Sequence, residues 1–100
     1  MNVASLQLEG LLMAVASVNR ALVAKGLLTR DELRKALASS EAAAISDYRV
    51  EEMAPANRDA IAFPSRVLLL ANEMADDEVP SFSELAKMVG ENKQPYNDQR

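Results

Sequence analysis

The sequence predicts an all-α fold: a small bundle of four to five helices with an N-terminal αα-hairpin and a proline-kinked central helix. Three observations predict it. Nearly half of the 100 residues are apolar (49%), yet only 4% are aromatic, and Ala, Leu, Val and Met supply most of the apolar content. A β-sandwich of this size needs β-branched and aromatic strands with a turn signal every ~8–12 residues. Three glycines and four prolines do not provide those turns. Helical periodicity and two capping boxes complete the case.

The first helix is read from Val3 to Lys25, where Leu8, Leu11, Leu12, Val15, Val18, Leu22 and Val23 recur at helical spacing. At 100° per residue they form a stripe about 140° wide, expected to face the core. Gly26 is placed to end this helix in a Schellman cap, with Leu27 reaching back to Leu22. Residues 11–18 are strongly apolar, but Met1 to Gly10 lacks Lys and Arg, so the basic start of a signal peptide is missing. Arg20 then interrupts the run, and the expectation is a core helix, not a membrane span.

Thr29-Arg30-Asp31-Glu32 reads as a capping box for the second helix, with Leu28 and Leu33 as its hydrophobic staple. The closeness of Gly26 and Thr29 predicts a tight hairpin. Leu33, Leu37, Ala44 and Tyr48 share one face of this helix. Pro55 is expected to break the pattern at Ala54, with Asn57 capping a short helix from Arg58 to about Phe63. Pro64 then restarts or kinks the chain. From Ser65 to Asp77 the residues Val67, Leu68, Leu70, Ala71 and Met74 lie together. Asp76, Asp77 and Glu78 crowd the negative end of that helix, which predicts fraying. Ser81-Phe82-Ser83-Glu84 is a second capping box, opening a short helix with Leu85, Met88 and Val89 that is expected to stop at Gly90. The organisation expected is one domain over residues 1–90 and a disordered polar tail over 91–100.

Composition narrows the chemistry. There is no cysteine and no histidine, which excludes disulfides and thiolate metal sites and removes the usual general base. Neither a glycine-rich phosphate loop, G-x-S-x-G nor Ser-x-x-Lys occurs. No cofactor is implied. Asp76-Asp77-Glu78 and Glu51-Glu52 lack the alternating acids and central glycine of a calcium loop, so they read as solvated charge and no metal is expected. Net charge is −4, with eleven Lys and Arg against fifteen Asp and Glu. An acidic chain without a basic run is a poor candidate for nucleic acid. The sequence therefore reads as a non-enzymatic, cytoplasmic protein–protein interaction module.

Four residues stand out as candidate interface positions. Leu6 and Met13 lie one heptad apart on the side of helix one away from its apolar stripe, and Leu69 falls among polar neighbours on its own helix. Asn19 falls inside the stripe, where a polar pair can fix register between helices, or where it can bond a nearby carbonyl. Two strongly apolar helices exceed what a core this small can surround, so a homodimer, or pairing with another helical protein, is the expectation.

The alternative is a small transcriptional regulator. Phe82 to Gly90 resembles the first helix and turn of a helix-turn-helix, with Ala86 and Gly90 at its small-residue positions. Against it, Pro95 stands where a recognition helix should run and the basic residues of a DNA-reading surface are missing. Leu22 to Leu33 resembles a helix–glycine–capping-box hairpin also found in one nitrile hydratase subunit. The cysteine cluster of that family has no counterpart here, and the resemblance implies a turn, not a chemistry.

Overall fold

The computed structural model describes residues 2–47, 49, 52–74 and 80–92. It is all-helical. Among the described residues four long helices follow in order, α1 (Val3–Ala24), α2 (Arg30–Ser46), α3 (Pro55–Met74) and α4 (Phe82–Asn92), and no strand forms.

Local chemistry sets the helix ends. The Asn2 side chain accepts from the Ser5 N–H at 2.8 Å and opens α1. At its other end Gly26 takes φ 75°, a left-handed geometry that costs glycine little. The Leu27 N–H then donates to the Leu22 carbonyl and the Gly26 N–H to that of Val23, each at 3.0 Å. That pair of bonds is the Schellman cap expected from sequence. In the next capping box the Glu32 N–H donates to Thr29 Oγ1 at 3.0 Å, and the Thr29 N–H donates to Glu32 Oε1 at 2.9 Å. Ser81 and Glu84 repeat the arrangement at the start of α4.

α3 is the shared partner, carrying the main packing of each of the other three helices. Against α2 it runs antiparallel: Asn72 Nδ2 donates to the Arg30 carbonyl, Ser65 Oγ to Ser40 Oγ, and Arg66 Nε to Glu41 Oε2. Arg66 also reaches Asp59 along its own helix, which holds the guanidinium between two carboxylates. The core cluster joins Leu12 and Ala16 of α1, Val67, Leu68 and Ala71 of α3, and Leu85 and Val89 of α4. Leu37 of α2 packs against this cluster. Phe63 and Phe82 meet edge to face with centroids 6.0 Å apart, tying α3 to α4.

Three helix boundaries differ from the sequence expectation. Pro55 does not break a helix; it stands first in α3, where its missing N–H is one the helix leaves unused. Asn57 therefore lies in the first turn and caps nothing. Pro64 sits inside one unbroken helix. It removes the bond to the Ala60 carbonyl, but Ala60 is exposed and water can take that partner's place. Ala62 and Ser65, on either side of the proline, are both buried, which holds the helix continuous. Gly90 lies within α4, which runs on to Asn92. Tyr48, the acidic run at residues 76–78 and the tail from residue 93 onward lie outside the described residues.

Candidate functional site

α1 meets the rest of the fold with an unexpected face. Its buried residues are Leu12 and Ala16. These lie at one edge of the apolar stripe, Val15 packs against the same cluster, and the far edge of the stripe faces solvent. Leu8, Leu11 and Val18 are 42%, 60% and 58% exposed, with Val15 and Leu22 half-buried beside them. The expectation that this whole stripe enters the core is corrected here. The contact with α3 is narrow, with Ala16 and Ala71 both in the buried cluster.

The five residues are spaced alternately three and four apart, the a/d repeat of a coiled-coil seam. In that frame Leu8, Val15 and Leu22 occupy a, and Leu11 and Val18 occupy d. One flank is Gln7, Ala14 and Ala21, and the other is Leu12 and Asn19. No flanking residue is charged, and two of them are alanines that allow close approach of another helix.

The charges of α1 sit on its inner side. Glu9 Oε2 and all three guanidinium nitrogens of Arg20 are buried and have no hydrogen-bond partner among the described residues. Arg20 lines a cavity of about 150 Å³, together with Asn19, Arg30, Asn72 and the apolar residues Ala16, Val23, Ala24, Leu68 and Ala71.

The four candidate interface residues fall in different surroundings. Leu6 is 53% exposed but lies well round α1 from the Leu11–Val18 line. Met13 packs against the core cluster. Asn19 lines the cavity next to Arg20. Leu69 is half-buried in α3. The exposed seam escaped sequence reasoning because its residues looked like core. Arg20 escaped because it was read only as the end of an apolar run.

α1 is, by length and composition, apolar enough to cross a membrane, with a mean hydropathy of 1.3 over a window of which 11% is buried. The sequence expectation set that run well short of a span; the 18-residue window that passes includes both Glu9 and Arg20. Among the described residues no group of three or more acids could hold a metal ion. Gly90, inside α4, makes no turn of the helix-turn-helix kind. No family model, no curated protein and no solved structure matches the chain.

Proposed function

We propose that the chain is a non-enzymatic helical interaction module that pairs with a second copy of itself along α1. The small bundle and its N-terminal hairpin present this helix outward. The observation that carries the reading is the exposed row of Leu8, Leu11 and Val18 at coiled-coil spacing. A second copy fits better than a charged partner, because the flanks of the row are neutral. Two α1 helices meet there without like-charge repulsion, whereas a basic or acidic helix would find nothing to pair with. The alanines on one flank suit close helix–helix packing.

A lipid surface is the competing occupant of the same row. Helices that lie on membranes carry Lys and Arg on the face opposite their apolar residues. α1 has instead Glu9 and Arg20 there, both turned into the fold. A crossing α1 would also have to leave α3 and expose Leu12 and Ala16.

Replacing Leu11 or Val18 with glutamate tests the proposal. Both side chains are exposed, so the subunit should stay helical. The expected result is a dimer for the wild type and a monomer for the variants by light scattering. A wild type that is monomeric at high concentration, or that floats with neutral lipid vesicles through the same residues, overturns self-pairing.

A further inference from the structure

We infer that α1 is a releasable strap: it closes over α3 against the cost of enclosing charge, and Arg20 sets how readily it opens. Three observations lead there. The first is where the charges of this helix lie. Nε, Nη1 and Nη2 of Arg20 are shut off from water and meet no acceptor among the described residues, and Glu9 Oε2 is enclosed in the same way. Arginine keeps its proton in proteins, so neutralisation cannot relieve its burial. Nor can the two groups serve each other, since eleven residues of helix set them roughly 16 Å apart along one side of α1. Opening α1 returns both to water, which removes a cost that only the closed state carries.

The second observation is how little holds the strap shut. Leu12 and Ala16 are the buried residues of α1. Ala16, Leu68 and Ala71, which belong to the core cluster, also line the cavity of about 150 Å³ between the two helices. Side chains around unfilled space lack packing partners on that side, so the contact is weaker than its area suggests.

The third is that the other helices do not need α1 for their own contacts. The bonds from Asn72, Ser65 and Arg66 tie α2 and α3 without it, and Phe63 against Phe82 ties α3 to α4. The caps on either side of the turn also close locally, Leu22 to Leu27 for α1 and Thr29 to Glu32 for α2. A pivot between them costs neither helix its cap. Release uncovers Leu68 and Ala71, apolar surface that the closed bundle withholds. None of this rests on self-pairing, because Arg20 and Leu11 project on opposite sides of α1, about 180° apart.

Native-state amide exchange on the full chain tests the strap, with L11E in every sample so that self-pairing plays no part. In the L11E parent, α1 amides should exchange at least tenfold faster than those of α3. Urea should accelerate them less, because releasing one helix exposes less surface than global unfolding. Adding R20M, which keeps an apolar stem and drops the charge, should slow α1 exchange at least tenfold. The proposal is overturned if α1 is as well protected as α3 in the parent, or if R20M leaves α1 exchange unchanged or faster. An R20M chain that no longer folds also overturns it, since Arg20 would then hold the closed state together instead of opposing it.

Discussion

Replacing Leu11 and Val18 together with alanine should abolish pairing while leaving the subunit intact. The substitutions remove three carbons from Leu11 and two from Val18, none of which the subunit's own core depends on. With 60% and 58% of these side chains open to solvent, and about 0.8 kcal/mol per buried methylene, the lost contact is roughly 2.4 kcal/mol per subunit. Both copies contribute, so the dimer loses about 5 kcal/mol, which weakens Kd by roughly three orders of magnitude. Ordering of side chains at the interface makes this an upper figure. Alanine is the better helix former at both positions, by a few tenths of a kcal/mol each, so α1 should persist. Sedimentation equilibrium across a concentration series measures Kd, and far-UV circular dichroism confirms the helix. A Kd unchanged within tenfold, with helicity retained, would refute the reasoning, because the row would then contribute nothing to association.

Further outcomes follow from the core, the caps and the surface charges. Leu85 is fully buried where α4 meets the common cluster, so Leu85→Ala should cost about 2–5 kcal/mol in a urea unfolding curve. Thr29→Ala removes the side-chain half of the α2 capping box and should cost about 1 kcal/mol by the same measurement. Hydrogen bonds from Arg34 first and Lys35 second hold the Asp31 carboxyl below its ordinary value of 3.8. The folded value being depressed, the associated stability is fully present above the ordinary aspartate range and is lost as pH falls through the lowered folded value. Carboxyl-carbon NMR titration should show R34Q combined with K35Q returning Asp31 towards 3.8.

The helix ends were legible in the sequence because their determinants are local. Thr29 with Glu32, Ser81 with Glu84, and Gly26 with Leu27 each satisfy backbone groups a few residues away, and each forms as read. Proline was harder. Pro55 at a helix start and Pro55 as a helix breaker look alike until the following residues are known to pack, as Ala62 does. Burial of Ala62 and Ser65 carries α3 through Pro64 against intrinsic propensity. Which side of α1 faces inward was legible only in part: Leu12 and Val15 of the expected stripe meet the core, while Leu11 and Val18 at its far edge are exposed, because the partner helix fixes the rotation. Arg20 shows the same limit: one charge ending an apolar run carries no sign that it closes over a cavity.

The dependence of three helices on one partner also bears on how the molecule opens. α1 is latched by two buried side chains, whereas α3 contributes five. Amide protons of α1 should therefore exchange through a subglobal opening in which the helix swings away as a rod and α2, α3 and α4 stay closed. Such an unlatched rod would carry its greasy row clear of the bundle, ready to be caught by another copy before it shuts.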